Sequence, residues 1–297
     1  MKFGTKLALA GGAGALGAAF CAVQNNKLTV TMLEVESERL PRRFDGARVI
    51  QLSDLHNKTF GPRQERLLGE LKKLKPDAIL LTGDLIDSRR TKLEPAVDLA
   101  RGAVQLAPVF YTPGNHEERM PETYGVLRER LRALGVTVLE NQAQTLTRGG
   151  ESLTFLGLRD VTASGAPFPE RLERLAGETE GQFRLVLSHR PELLTLYGAS
   201  GVELVFSGHA HGGQFILPGI GPVFAPQQGL FPKYTGGLYR AGETAMVVSR
   251  GLGPSQFPLR LFNYPDLVCV TLKRGECAEP PPRDGGRRAA ANSSGEP

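Results

Sequence analysis

The chain is 297 residues long, 40% hydrophobic and 23% charged, which supplies apolar material for a sizeable core and excludes disorder throughout. Its net charge of +5 comes mostly from Lys2, Lys6 and Lys27, while the arginines and acids after Ala278 cancel, so the body lacks the basic footprint of a nucleic-acid-binding domain. Three cysteines without a Cys-x-x-Cys spacing exclude a zinc finger or a redox motif.

Leu7 to Val23 is an uncharged run behind Lys2 and Lys6. At about 1.5 Å per residue it falls just short of a bilayer core of roughly 30 Å. A secretory signal, a short signal-anchor and a helix packed on the domain all fit; the expectation is an anchor. Lysines ahead of the run place the N-terminus in the cytoplasm and the domain outside the cell membrane, with secretion as the alternative. The expected division is 1–27 as signal or anchor segment, 28–277 as one domain, and 278–297 as a disordered tail.

Leu28 to Val35 alternates and reads as a strand. Arg48 to Leu52 is a second strand, ending in Ser53-Asp54-Leu55-His56-Asn57. A helix with Leu67, Leu68, Leu71 and Leu74 on one face follows and stops at Pro76. Ala78 to Thr82 is the next strand, ending in Gly83-Asp84-Leu85-Ile86-Asp87. A helix over 93–106 leads to strand Val109 to Thr112, which ends in Pro113-Gly114-Asn115-His116-Glu117. Helix 123–134 and strand 136–139 complete an alternation that predicts an α/β sheet with chemistry at the carboxyl ends of strands.

The second half carries a hairpin over 144–158 turning at Gly149-Gly150, a short helix around 172–175, and strand Arg184 to Leu187 running into Ser188-His189-Arg190-Pro191. Val202 to Phe206 is a strand opening into Gly208-His209-Ala210-His211-Gly212-Gly213, where the two final glycines read as room for substrate. Short strands and turns follow, ending with strand Leu267 to Leu272. A Cys269–Cys277 bridge is open if the domain is exported.

All five histidines, His56, His116, His189, His209 and His211, sit just past a predicted strand, with Asp54, Asp84 and Asn115 in the same kind of position. Asp54 and His56, two apart on extended chain, would point the same way and grip one ion. The Asp84 carboxylate could bridge two ions. Nitrogen and oxygen ligands without thiolate suit Mn, Fe, Zn or Co. Two such ions about 3.5–4 Å apart would clamp a phosphoester and turn a shared water into hydroxide at neutral pH. His116 would point the wrong way in a strand to bind the ion held by Asn115, which casts it as the residue that stabilises the transition state or protonates the leaving oxygen.

The set Asp54-x-His56, Gly83-Asp84-x-x-Asp87, Gly114-Asn115-His116-Glu117, Ser188-His189 and Gly208-His209-Ala210-His211 resembles the calcineurin-like metallophosphoesterase superfamily. Ser249-Arg250-Gly251-Leu252-Gly253 with Pro258-Leu259-Arg260-Leu261-Phe262-Asn263 is similar to its YkuE/YaeI-type bacterial phosphodiesterase branch. The resemblance implies a four-layer α/β/β/α sandwich. It also implies one ion on Asp54, His56, Asp84 and His211, and another on Asp84, Asn115, His189 and His209. Asp87 is expected to order its loop, and Arg190, Arg250 and Arg260 to contact phosphate or brace loops. The expected reaction is hydrolysis of a phosphoester, a small molecule or a lipid- or envelope-linked one. The competing readings are a metal-dependent amide or lactam hydrolase and a non-catalytic scaffold of the same fold.

Overall fold

Strands that are apolar on both faces need cover on both sides, and the second-half strands of this chain are of that kind. In the computed structural model, which describes residues 16–254 and 257–275, Leu185 and Leu187 face one core while Val186 faces another. Leu204 and Phe206 are likewise opposed to Val205. Such a sheet must pack on a second sheet inside and on helices outside.

The first half runs through helix α1 (described over residues 16–26), β1 (Thr29–Glu36), β2 (Arg48–Leu52), α2 (Glu65–Lys73), β3 (Ala78–Leu81) and α3 (Glu94–Ala103). It continues with β4 (Val109–Tyr111), the single-turn α4 (Asn115–Glu118), α5 (Pro121–Ala133) and β5 (Thr137–Val138). The second half has β6 (Gln142–Arg148), β7 (Glu151–Gly157), α6 (Phe168–Glu178), β8 (Phe183–Leu187), α7 (Leu194–Ala199) and β9 (Leu204–Ser207). Two small hairpins follow, β10 (Ile216–Leu217) with β11 (Gly221–Pro222) and β12 (Phe224–Ala225) with β13 (Gly229–Leu230). Then come β14 (Gly237–Ala241), β15 (Thr244–Val248) and β16 (Asp266–Lys273).

One six-stranded sheet has the order β1-β16-β2-β3-β4-β5 and the other β14-β15-β9-β8-β7-β6. β2 to β5 are mutually parallel, as are β7, β8, β9 and β15. Between the sheets lies a core that joins Val49, Leu80, Phe110 and Val270 to Phe155, Leu185, Phe206 and Val247. Phe110 and Phe155 stack across it with centroids 4.0 Å apart. Each side chain of this size that is fully withdrawn from water contributes about 1.5–3 kcal/mol. α2, α3 and α5 cover the outer face of the first sheet through Leu67, Leu99 and Leu127, and α6 and α7 cover the second through Leu172 and Tyr197. The architecture is the expected four-layer α/β/β/α sandwich.

Two long-range features went beyond the predicted elements. β16 returns from the end of the chain to lie between β1 and β2, antiparallel to β2 with Val268 opposite Gln51 and Val270 opposite Val49. The carboxyl end of α1 is pinned to the loop before β16. The Gln24 and Asn25 side-chain oxygens accept the N–H groups of Phe262 and Arg260, at 2.8 and 2.9 Å. No helix among the described residues is long and apolar enough to cross a membrane. Much of the expected anchor, all of the expected tail and Cys277 lie outside the described residues; Cys269 is buried in β16.

Candidate metal centre

The carboxyl ends of β2, β3, β4, β8 and β9 meet where the two sheets come together. Gln51 Nε2 reaches across to donate to Ser207 O at 2.8 Å, and His209 N–H donates to the Asp54 carboxylate at 3.1 Å. All seven expected ligands converge there, and all are buried. Asp54, His56 and His211 bring donor atoms within 4.8 Å of one another, and so do Asp84, His189 and His209.

The distances inside these groups suit donors that share a cation. His56 Nε2 and His211 Nε2 face each other at 3.2 Å, with Asp54 Oδ1 3.3 Å from His211 Nε2. Asp84 Oδ2 stands 3.1 Å from His189 Nε2 and 3.6 Å from His56 Nε2, between the two groups. Donors about 2.0–2.2 Å from a shared ion lie roughly 3–3.6 Å from each other. Asn115 Oδ1 is buried without a hydrogen-bond partner, a costly state unless something else engages it. His189 Nδ1 lies 2.7 Å from Thr82 O. Donation there leaves the Nε2 lone pair directed at the site, the usual outer hydrogen bond of a metal-bound imidazole.

Electrostatics point the same way. Burial holds His56 and His209 down at about 3 and His211 well below its ordinary value, so these rings are neutral and able to coordinate. Burial pushes Asp54 up to about 6. Burial also opposes charge on His189, yet the Asp84 carboxylate overrides it and lifts His189 to about 10; His189 in turn drives Asp84 well below its usual range. Without an ion the two carboxylates thus favour a second proton on His189, at Nε2; a divalent ion would take that proton's place and free the lone pair.

The local backbone differs from the extended chain expected for Asp54-x-His56. Asp54, His56, Asp84, His209 and His211 all have φ between 45° and 65°, in the left-handed region. Each such residue costs on the order of 1 kcal/mol or more. Cross-strand bonds hold them, among them Asp54 N–H to Gly83 O and His56 N–H to Asp84 O, both at 3.0 Å. The convergence therefore comes from tight turns and not from strand alternation. Gly208 packs directly on Ser53 and Asp54, so that a methyl there would overlap Ser53 Oγ and Asp54 Oδ2. Gly208→Ala is expected to cost about 1–3 kcal/mol and to weaken Mn²⁺ binding, measured by thermal melts with and without the ion. Gly212 and Gly213 do not open space for substrate, because Asn263 and Pro222 pack against them.

Asn115 and His116 also depart from the strand expected of them: they begin α4. His116 Nδ1 accepts the Ser88 N–H at 3.0 Å, so the proton sits on Nε2, which faces Asp84 Oδ2 at 4.0 Å. Burial lowers its pKa. Asp87 accepts the Arg89 N–H at 2.9 Å and pairs with the Arg89 guanidinium, which orders the loop after β3. Asp87 also forms, with His56 and His116, a third group whose donor atoms lie within 4.8 Å of one another.

Of the two roles expected for the three arginines, phosphate contact or loop bracing, their partners within the chain favour the second. Arg190 is buried, grips Asp160 through Nε at 2.5 Å and Nη2 at 2.9 Å, and places Nη1 2.8 Å from His209 Nε2. Arg260 is buried against the carbonyls of Asn263, Gly253 and Arg250. Arg250 pairs with Asp266 at 3.1 Å. All three brace loops. Removing one partner of a buried pair leaves the other charge uncompensated. Asp160→Ala is expected to cost about 3–5 kcal/mol, read from the shift of the urea midpoint.

Other residues carried weaker signals. Glu117, fully buried, accepts the N–H groups of Asp84 and Gly114 at 2.8 Å and of Ile86 at 3.1 Å, tying the ends of β3 and β4 together. Its position next to His116 was the available hint. Asn263 donates to His211 O at 2.7 Å. A cleft of about 550 Å³ opens over Asp84, Asn115, His116, His209 and His211, with Arg89, Arg119, Gln227 and Phe257 on its walls. A second, of about 530 Å³, adjoins it at Arg89 and reaches His56 and Asp87.

Comparison with known proteins agrees with this centre. The chain is 31% identical over 256 residues to the uncharacterized metallophosphoesterase YkuE of Bacillus subtilis, covering 84% of this chain and 87% of that one. It is 30% identical to phosphodiesterase YaeI of Escherichia coli, covering 76% and 82%. An uncharacterized metallophosphoesterase of Aquifex aeolicus is 28% identical, covering 83% and 92%. The family model described as calcineurin-like phosphoesterase matches residues 47–213, the span from the strand before Asp54 to the turn after His211. With that match over more than half of its length, and candidate nitrogen and oxygen ligands buried at the ends of five strands, the chain belongs to the calcineurin-like phosphoesterase family of metal-dependent phosphoester hydrolases.

Proposed function

We propose that the chain is a phosphodiesterase working with two divalent transition-metal ions. One would be held by Asp54, His56, Asp84 and His211, and the other by Asp84, Asn115, His189 and His209. The observation that carries this reading is the convergence of seven buried nitrogen- and oxygen-bearing side chains, among them Asn115, whose Oδ1 finds no partner within the protein. Mn, Fe, Zn and Co all suit such a set. Bound ions would supply Lewis acidity, lowering the pKa of a water and neutralising phosphate oxygens.

The remaining work falls to this chain's own groups. Asp84 Oδ1 accepts the His116 N–H at 2.9 Å, which fixes α4 against the ligands. The Nε2 proton of His116 is then available to the leaving oxygen. Arg89 and Arg119 line the cleft with positive charge for a phosphate or a neighbouring anionic group. The two adjoining clefts leave room for a substituent on each side of phosphorus, which favours a diester over a monoester.

The test is hydrolysis of bis-p-nitrophenyl phosphate and p-nitrophenyl phosphate side by side by Mn²⁺-loaded protein, with metal content measured. Faster turnover of the diester is expected. Bound metal with no hydrolysis of either would favour the scaffold reading, and hydrolysis of an amide or lactam alone would favour the third. We further infer that the segment ahead of residue 28 attaches the enzyme to the cell membrane, N-terminus inside and catalytic domain outside. That placement makes a lipid- or envelope-linked phosphoester the substrate class to test first.

A further inference from the structure

Eight of the eleven large apolar side chains exposed among the described residues belong to α1 or to the stretch from Ile220 to Phe262. On α1 they are Leu16, Phe20 and Val23, which at spacings of four and three form one stripe. Phe20 and Val23 are 42% and 51% exposed, and Leu16 is 75% exposed, so this stripe is not the face that packs on the domain. Along the loops, Phe231, Phe257 and Phe262 are 67%, 54% and 46% exposed, joined by Ile220 at the tip of the β10–β11 hairpin and Leu230 in β13.

Direct contacts tie these pieces into one block. Phe20 meets Phe262 edge to face with centroids 6.0 Å apart. Leu261 bridges to Phe215, and the Phe215 ring lies 5.8 Å from that of Phe257. Val223 N–H donates to Phe215 O, and Phe231 N–H donates to Val223 O, both at 2.9 Å. Asn25 Nδ2 donates to Pro258 O at 2.9 Å, closing the block back onto α1. Phe257 is at the same time a wall of the catalytic cleft. Arg90 and Lys92 line the adjoining cleft beside Pro258, and the exposed Lys27 follows α1 directly.

We propose that this block is a docking surface for an anionic lipid bilayer. Aromatic and aliphatic loop tips beside Lys and Arg suit the boundary between headgroups and acyl chains, where apolar parts are buried while cations meet lipid phosphate. In sequence, the uncharged run from Leu7, with Lys2 and Lys6 ahead of it, leads directly into the segment that carries this stripe. The attachment inferred above holds the enzyme near a bilayer; the block goes further, because it orients the cleft so that its Phe257 wall faces the lipid. A substrate with an acyl anchor and a phosphoester head could then enter without leaving the interface.

The chain contains no tryptophan, so one introduced tryptophan, excited at the red edge where the six tyrosines do not absorb, reports from a single position. Full-length Phe231→Trp and Phe262→Trp are mixed with phosphatidylcholine–phosphatidylglycerol vesicles brominated on the acyl chains. Val126→Trp, at an exposed site on α5 away from the block, is the control. Blue-shifted and quenched emission at 231 and 262, with 126 unaffected, is the expected result. Protein that sediments with vesicles while 231 and 262 stay unquenched would mean that the N-terminal segment alone binds, and the proposal falls. Failure to sediment at all overturns it equally. So does a blue shift that grows with protein concentration in the absence of lipid, which would mark an interface between copies. Leu230→Ser with Phe231→Ser is expected to lower vesicle partition on the order of tenfold or more while hydrolysis of soluble bis-p-nitrophenyl phosphate stays unchanged. Vesicle partition left unchanged by the double substitution overturns the docking surface, whereas wild-type protein that partitions but hydrolyses no phosphoester strikes the catalytic reading, so the two can fail separately.

Discussion

Asp84→Asn is expected to lower hydrolysis of bis-p-nitrophenyl phosphate on the order of 10³-fold or more, since several kcal/mol of charge stabilisation are withdrawn at about 1.4 kcal/mol per tenfold. The substitution separates the two jobs of this carboxylate. Oδ1 accepts the His116 N–H, and an amide oxygen can do the same. Oδ2 stands between His189 and His56 at 3.1 and 3.6 Å, where an amide NH₂ presents protons and offers no lone pair. The fold should therefore stand while the shared ligand is lost. Metal-free Asp84→Asn is expected to melt below metal-free wild type, because the Asp84 carboxylate pairs with His189 in the buried site. The measurements are metal content and thermal melts with and without Mn²⁺. Wild type should be stabilised by the ion, by about 2.7 kcal/mol at a concentration 100 times the dissociation constant, and Asp84→Asn should lose most of that increment. A variant that keeps both its metal content and its activity would remove Asp84 from the centre.

Much of this centre was legible because each ligand directly follows an apolar run. A strand that ends in Asp-x-His, Gly-Asp or His-x-His can be placed from local pattern alone, and parallel strands bring their carboxyl ends together. What pattern could not convey were the conformations at those ends. Asp54 and His56 look like extended chain by spacing, but both are left-handed and held by bonds to Gly83 and Asp84. Arginine roles were equally hidden. Arg190 stands beside His189 in sequence, yet its guanidinium is claimed by Asp160, 30 residues earlier, and Arg260 is claimed by three carbonyls. A long side chain with five donors goes wherever tertiary structure leaves acceptors, and one-dimensional spacing carries no record of that. The insertion of β16 between β1 and β2 is the same kind of fact, a pairing between residues more than 200 apart.

His116→Gln should retain its metal and lose about 10²–10⁴-fold in kcat, with the size of the loss set by the leaving group. Ser88 N–H donates to Nδ1 at 3.0 Å, so the tautomer carries its proton on Nε2, and burial keeps the ring from holding a second proton at neutral pH. The amide oxygen of Gln can still accept from Ser88, which keeps the loop after β3 in place. A p-nitrophenolate needs little protonation to depart, so loss on bis-p-nitrophenyl phosphate should lie near the lower end of that range. An alkyl phosphodiester expels a far more basic oxygen, and its loss should lie near the upper end. The widening gap between the two substrates distinguishes a proton donor from a residue that merely supports the site, whose removal would slow both equally. Falling metal content in His116→Gln would instead identify the ring as a ligand, in the group it forms with His56 and Asp87.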